Sequence, residues 1–279
     1  MSHTDAAPTC LLVRGLSRSV AHWGDVPSRL QAALRERVHP EARVVCLDLP
    51  GNGRRWRERS PVSVPALADD LRRHWQDTRS ALATPPGPLH LLALSMGGMV
   101  ALDWARRYPG ELASLTLVNS SLGGLAPLHW RMRPTAWPTL LRLLAAPASA
   151  RTCEEALHRL TSARPATREA TVAGWIALRL AEPVSRLNVL RQLLAAARYR
   201  PTAESLAGLQ VPLTVLCSEA DALVDPRCSA RLAQACRAPL LRHPDAGHDL
   251  PLDDAPWLID RVVERVVEQL VQQAPRSPG

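Results

Sequence analysis

The sequence predicts an α/β fold, in which helices on both faces cover a mostly parallel, doubly wound sheet and a helical segment is inserted between two strands. Short, continuous apolar runs alternate with longer segments of helical periodicity, and such runs are typical of parallel strands buried on both faces. The alternation stops near residue 122 and resumes after residue 205. With 279 residues, of which 46% are hydrophobic, the chain is long enough for one such core with an insertion.

Before the insertion, this alternation predicts four strands and three helices. The strands are the apolar runs at residues 10–15, 42–51, 89–94 and 112–120. Apolar positions at helical spacing predict helices over residues 23–38, 64–82 and 98–108. The second helix has a proline near its start, where proline is tolerated, and the third stops at Pro109-Gly110.

The inserted segment is rich in alanine, leucine and arginine, and prolines divide its helical periodicity, which predicts a cap made of helices. After it, we expect strands over residues 211–219 and 239–247, and helices over residues 226–237 and 255–273. The predicted organisation is therefore a core over residues 1–121 and 206–273, a cap over residues 122–205 and a flexible tail over residues 274–279.

Composition excludes several classes of protein. The N-terminal segment lacks the charged and apolar regions of a signal peptide, and no apolar run reaches about 18 residues, so we expect a cytoplasmic protein without a membrane span. The six cysteines form no CxxC pair, which favours buried thiols over a disulfide framework or a metal site. No metal, nucleotide or flavin motif is present, so the sequence predicts no cofactor.

Three polar side chains follow predicted strands at the point where each strand ends. Ser95 follows the strand at residues 89–94, Asp221 follows the next-to-last strand, and His248 follows the last. Because ligands of parallel sheets bind outside the carboxyl ends of the strands, we expect the three side chains to meet at one edge. A weakly acidic serine needs an adjacent base, and the base needs a third group to orient it. The pattern therefore favours nucleophilic acyl transfer, although Ser95 alone could also be a helix N-cap.

With these residues, the chain resembles the small, capped, esterase-like members of the α/β-hydrolase superfamily. The stretch ALSMG, residues 93–97, is similar to the G-x-S-x-G nucleophile elbow of that fold, and the order serine, aspartate, histidine along the chain is also the same. The first elbow glycine is replaced by Ala93, a side chain small enough for the close packing that this position needs.

Two further stretches support the resemblance. RGLSRSVAHW, residues 14–23, is similar to the family's His-Gly loop, and LDLPGNGR, residues 47–54, is similar to its D-x-P-G-x-G turn. Arg14 stands where the family usually has histidine, which could change the charge of the pocket. Since about nine residues precede the first strong strand, the resemblance implies that the family's first antiparallel strands are shortened or missing.

The resemblance also implies a role for each residue. Ser95 would attack the acyl carbon, His248 would take and return its proton, and Asp221 would orient the imidazole. The backbone N–H groups of Leu16 and Met96 would form the oxyanion hole. Arginine in place of histidine at position 14 need not remove a donor from the oxyanion hole, because that donor is a backbone N–H.

Two other acids lie close to Asp221 in the sequence. Glu219 and Asp225 flank it, and Asp225 directly precedes Pro226, where it could instead cap the following helix. Members of the family carry the acid at this point of the loop, which favours Asp221.

Four tryptophans are candidates for the wall of a pocket that holds a hydrophobic acyl group. Trp23 lies beside the predicted oxyanion loop, where core packing is an equal alternative, and three more belong to the cap: Trp130, Trp137 and Trp175.

The cap also carries most of the chain's net charge of +8. Residues 122–205 contain twelve arginines, five glutamates and no aspartate, a net charge of +7. Such a surface would attract an acidic carrier protein, the phosphates of CoA or a substrate carboxylate, although solvated helix faces in an arginine-rich sequence are the alternative. Nucleic acid is disfavoured, since no binding motif or aromatic interleaving accompanies the charge.

The sequence therefore predicts a serine hydrolase that cleaves a carboxylic ester or thioester of a hydrophobic acyl group through an acyl-enzyme. An amidase or peptidase of the same fold, and a non-catalytic ligand-binding homologue, are the alternatives.

Overall fold

A computed structural model describes residues 6–81, 87–145 and 148–273 of the chain. Its sheet has six strands in the order β2-β1-β3-β4-β5-β6, and all five neighbouring pairs are parallel. The strands are β1 Thr9–Val13, β2 Arg43–Leu47, β3 Leu89–Leu94, β4 Ser114–Val118, β5 Leu213–Ser218 and β6 Leu240–His243. Five of these strands lie within predicted strands and β1 begins one residue before its predicted range, and the predicted fold class is confirmed.

Helices connect the strands and form the inserted segment. They are α1 Val26–Arg37, α2 Val64–Ala81, α3 Met96–Arg107, α4 Leu128–Arg131, α5 Trp137–Ala145, α6 Ala150–Thr161, α7 Arg168–Ala181, α8 Arg186–Arg198, α9 Ala203–Ala207, α10 Arg227–Cys236, α11 Leu250–Asp253 and α12 Ala255–Gln273. Within the described residues, no helix combines the length and the apolar character that a membrane crossing requires.

Some helix boundaries differ from the predicted ones. The helix expected over residues 23–38 begins at Val26, because residues Val20–Trp23 form a separate 3-10 helix that ends at Gly24, whose φ of 58° leaves the helical region. The helix expected from residue 98 begins at Met96, so that two glycines lie in its first turn. The predicted cap boundary at residue 205 falls inside α9. The predicted ending at residue 82 and the predicted tail, 274–279, lie outside the described residues.

The sheet separates two apolar layers. In β1, Leu11 and Val13 face the layer that contains α2 and α3, whereas Cys10 and Leu12 face the layer that contains α1 and α12. This two-residue alternation buries both faces of the sheet and explains why the strands read as continuous apolar runs. The carboxyl edge of the sheet is thereby held between two packed layers.

The inserted helices contact the core through buried amide side chains on α8. The Gln192 side chain accepts a hydrogen bond from the Ser17 N–H and donates one to Asn52 Oδ1, both at 2.9 Å. Asn188 accepts from the Ser60 N–H at 3.0 Å and donates to the Glu58 carbonyl at 2.9 Å. The division into core and cap at the predicted residues stays a prediction, but these contacts bring the inserted segment over the loops that follow β1 and β2.

Candidate active site

Ser95 lies between the last residue of β3 and the first residue of α3. Its φ of 57° and ψ of −122° are uncommon for a residue with a side chain, and such a conformation costs about 1–3 kcal/mol. The Ser95 N–H donates to the Val118 carbonyl at 2.8 Å, which ties the turn to the neighbouring strand. The strand therefore ends in a sharp, strained turn that starts a helix, as in a nucleophile elbow.

Close backbone approach explains the two glycines after this turn. A Cβ on Gly97 would lie 2.5 Å from the carbonyl oxygen of Arg14, and a Cβ on Gly98 would lie 1.9 Å from Oγ of Ser120. Neither position can hold a side chain without a shift of its neighbours. The sharp turn at Ser95 thus depends on glycine at both places.

Asp221 and His248 form a buried pair at the same edge of the sheet. Oδ2 of Asp221 lies 2.7 Å from Nδ1 of His248, within hydrogen-bond distance. The other carboxylate oxygen accepts hydrogen bonds from the N–H groups of Leu223 and Val224, both at 2.8 Å. With both oxygens held, the carboxylate can orient the imidazole so that Nε2 is available to a neighbouring group.

Asn119, which the sequence analysis did not single out, also fixes the histidine loop. Its side-chain amide donates to the His248 carbonyl and to Oγ of Ser218, both at 2.9 Å, and its oxygen accepts from the Ser218 N–H at 2.8 Å. The one sequence signal that could have indicated this role is its position at the end of the predicted fourth strand. The amide links the ends of β4 and β5 to the loop that carries His248.

The loop after β1 passes directly beside Ser95. A Cβ on Gly15 would lie 2.9 Å from Cβ of Ser95 and 3.4 Å from the Met96 nitrogen. Among the described residues, neither the Leu16 N–H nor the Met96 N–H has a hydrogen-bond acceptor. Two N–H groups of the kind that the prediction requires therefore lie beside this serine, one in the loop after β1 and one at the start of α3.

Comparison with known proteins agrees with this geometry. A family model described as alpha/beta hydrolase fold matches residues 10–255. The chain belongs to the α/β-hydrolase family. This α/β-hydrolase is 29% identical over 248 residues to the pimeloyl-[acyl-carrier protein] methyl ester esterase of Sodalis glossinidius, with 84% of this chain and 88% of that protein covered. The protein of the same name from Aeromonas hydrophila is 29% identical over 259 residues, covering 85% and 91%.

A solved structure shares the fold of this α/β-hydrolase. A thermophilic esterase from Thermogutta terrifontis superposes with a TM-score of 0.69 at 23% identity, covering 95% of this chain and 91% of that one. The likeness extends through the inserted segment, since nearly the whole chain is matched.

The two competing acids of this α/β-hydrolase have other partners. Asp225 accepts hydrogen bonds from the N–H and the guanidinium of Arg227, which lower the pKa of its carboxyl. Glu219 forms an ion pair with Arg242 on β6. Asp221 is thus the acid of this loop that lies against His248.

The four predicted pocket tryptophans lie in different surroundings. Trp23 is buried in the layer with α1 and α12. Trp175 is buried under the guanidinium of Arg18, 4.0 Å from its ring centre. Trp130 stacks in the same way with Arg227, and Trp137 is exposed with its indole N–H on the Met132 carbonyl. Trp23 packs in the core, and the pocket assignment of all four tryptophans stays a prediction.

Buried ion pairs surround the loop after β1, and sequence reasoning missed them because their members are far apart in the chain. Arg14 pairs with Asp249, the residue after His248. Arg18 pairs with Glu154 on α6, which also pairs with Arg179 on α7. The loop beside Ser95 is therefore tied both to the His248 loop and to the inserted helices.

Proposed function

We propose that this α/β-hydrolase cleaves a carboxylic ester or thioester of a hydrophobic acyl group, with Ser95 as nucleophile, His248 as general base and acid, and Asp221 as the orienting acid. One observation carries the proposal: the buried Asp221–His248 pair lies at the sheet edge where Ser95 sits on its strained turn. The esterase names of the relatives support ester hydrolysis as the reaction class.

The reaction follows from the positions of these groups. His248 takes the proton of Ser95 while Oγ attacks the acyl carbon, and the Asp221 carboxylate stabilises the imidazolium that forms. The N–H groups of Leu16 and Met96 donate to the developing oxyanion, each worth about 3–4 kcal/mol of transition-state stabilisation. The imidazolium protonates the leaving alcohol or thiol, and a water molecule then releases the acyl group by the reverse sequence.

Hydrolysis of p-nitrophenyl esters of increasing chain length tests this reaction. We expect turnover by the wild type, and Ser95→Ala to lower kcat by about 10⁴-fold or more while the fold is retained. Ester hydrolysis that survives in Ser95→Ala would contradict the role of the serine. Hydrolysis of p-nitroanilides but not of esters would favour the amidase alternative, and binding without turnover would favour a non-catalytic homologue.

We also propose that an acidic carrier protein bears the acyl group and that the reaction takes place in the cytoplasm. The outer face of α8 supports this partner. Helix α8 buries its amides and exposes three leucines on one face, Leu187, Leu190 and Leu194. No acid occurs between Glu182 and Glu204, whereas that interval holds four arginines. A face that is apolar at its centre and basic at its rim complements an acidic protein surface.

A cavity of about 290 Å³ continues this face at the C-terminal end of α8. Leu128, Arg131 and Ala197 contribute to its lining. The carrier-bound substrates named for the two relatives are consistent with such a partner. The exposed face lies about one helix diameter, 10–12 Å, from the side of α8 that contacts the loop beside Ser95.

The same pimeloyl methyl ester, attached either to an acyl carrier protein or to pantetheine, tests the partner. We expect a lower KM for the carrier-borne ester and a loss of this advantage as salt is raised. The double variant Arg191→Glu, Arg198→Glu should raise that KM about tenfold and leave the pantetheine ester unchanged. The control, Arg29→Glu with Arg37→Glu on α1, makes the same change in charge away from α8. Equal KM values for both substrates in the wild type would rule out this partner.

A further inference from the structure

Arg14 and Asp249 form a two-point ion pair next to the proposed machinery. The Arg14 guanidinium donates to both carboxylate oxygens, at 2.9 Å to Oδ1 and 2.6 Å to Oδ2, and both side chains are 3% exposed. Arg14 directly precedes Gly15 and Leu16 of the loop beside Ser95, and Asp249 directly follows His248. The pair therefore joins the proposed oxyanion loop to the loop of the proposed general base.

Both members of this pair carry their charge. Burial alone would raise the pKa of the Asp249 carboxyl, but the attraction and hydrogen bonds of Arg14 outweigh it and hold that pKa below its usual value. A guanidinium keeps its proton in proteins. The two charges therefore compensate each other at the start of the His248 loop.

Other groups around this pair do not replace it. Burial and the charge of Arg18 lower the pKa of the His22 ring far below neutral. Burial and the charge of Arg168 lower the pKa of the His158 ring as well, so both rings are neutral at pH 7. Asp221 belongs to the proposed triad, and Arg18 pairs with Glu154. The Asp253 carboxylate accepts hydrogen bonds from the N–H groups of Gly247 and Ala163 and from the Ser162 hydroxyl.

We propose that Arg14 and Asp249 are a positioning pair, which clamps the oxyanion loop to the His248 loop and keeps the imidazole from sensing the unpaired charge of either member. This inference rests on the proposed function. It also explains how a chain with arginine in the family's histidine position avoids a free positive charge beside the reacting serine.

The pH dependence of kcat/KM for a p-nitrophenyl ester tests the pair, because its acid limb reports the protonation of the essential base. Asp249→Asn leaves Arg14 charged and unpaired, which disfavours the imidazolium, so the acid limb should move to lower pH by about one unit. Arg14→Gln leaves Asp249 unpaired, so the limb should move to higher pH. The double variant should return it close to the wild-type position, with kcat lowered by loss of the clamp.

Two further variants separate charge from positioning. Arg14→Lys keeps the charge but loses the planar two-point contact, so we expect an unchanged limb and a lower kcat. Glu154→Gln breaks the buried Arg18–Glu154 pair on the other side of the same loop. It should lower stability, but it should move the acid limb by less than a third of the shift in Asp249→Asn.

The proposal would be overturned if the acid limb stayed in place in folded Asp249→Asn and Arg14→Gln, or moved in the same direction in both. The pair would then be a purely structural contact. The double variant provides the folded sample if the single ones do not fold, because it leaves no unpaired charge. A wild type that hydrolyses no ester would contradict the proposed function instead, before any variant is made.

Discussion

Helices α3 and α5 show how differently the sheet edge and the inserted segment are held. Ten consecutive residues of α3, from Met96 to Ala105, are buried, whereas no residue of the nine-residue α5 is buried. Helix α8 exposes leucines and is held from beneath by two buried amides. The proposed nucleophile thus begins an element that cannot move without unpacking the core, whereas the inserted segment that carries the proposed partner surface includes a helix with no buried residue.

The largest effect should come from the acid of the sheet edge. We expect Asp221→Asn to lower kcat about 10⁴-fold, because an amide would favour the wrong tautomer of His248. Asp225→Asn, four residues along the same loop, should change kcat less than threefold, since this acid pairs with Arg227. Comparable losses in the two variants, measured on the same ester, would remove the distinction between them.

A buried histidine should make the core sensitive to acid. Burial lowers the pKa of His90 in β3 from 6.5 to about 4. The stability that depends on a neutral His90 is fully present above pH 6.5. It is lost as the pH falls toward 4, because the unfolded chain then binds a proton that the folded chain excludes. The loss is about 3 kcal/mol of unfolding free energy.

Urea unfolding between pH 4 and 7 measures this loss, and His90→Gln should remove most of it. A pH slope that is the same in His90→Gln and the wild type would assign the acid sensitivity to other groups.

Removing one anchor of the cap should have a smaller effect. Gln192→Ala leaves the Ser17 N–H and Oδ1 of Asn52 without this partner, at a cost of about 2 kcal/mol. Hydrogen exchange should become faster in α8 and in the loop at Ser17, but not in β3. Arg191→Ala, the neighbouring position, is the control and should leave these rates unchanged. Uniformly faster exchange through the sheet would show that cap and core open together.

The smallest effect on stability should come from the exposed leucines. Leu190→Gln should change the free energy of unfolding by less than about 0.5 kcal/mol, because the side chain is half exposed. It should nevertheless raise the KM for the carrier-borne ester, which Val271→Gln, at a more exposed position on α12, should not. A drop in stability like that of Gln192→Ala would mean that Leu190 packs against this chain rather than a partner.

The sequence predicted the sheet and the place of Ser95, Asp221 and His248 because continuous apolar strands and their polar ends are local signals. It did not reveal Asn119 as a link between loops, or the pairing of Arg14 with Asp249, which lie 235 positions apart. Nor could it show that α8 turns its amides inward, because its leucine spacing alone would predict the opposite face to be buried. Local pattern specifies elements, whereas these contacts depend on how the elements are brought together.

Labelling with a fluorophosphonate, followed by peptide mapping, tests the central claim most directly. Such a probe reacts with a serine only where a base and an oxyanion hole activate it. We expect one adduct per chain on the peptide that contains Ser95, no adduct in Ser95→Ala, and much slower labelling in His248→Ala. An unlabelled wild type, or an adduct that persists in Ser95→Ala, would contradict the assignment of Ser95 as the nucleophile.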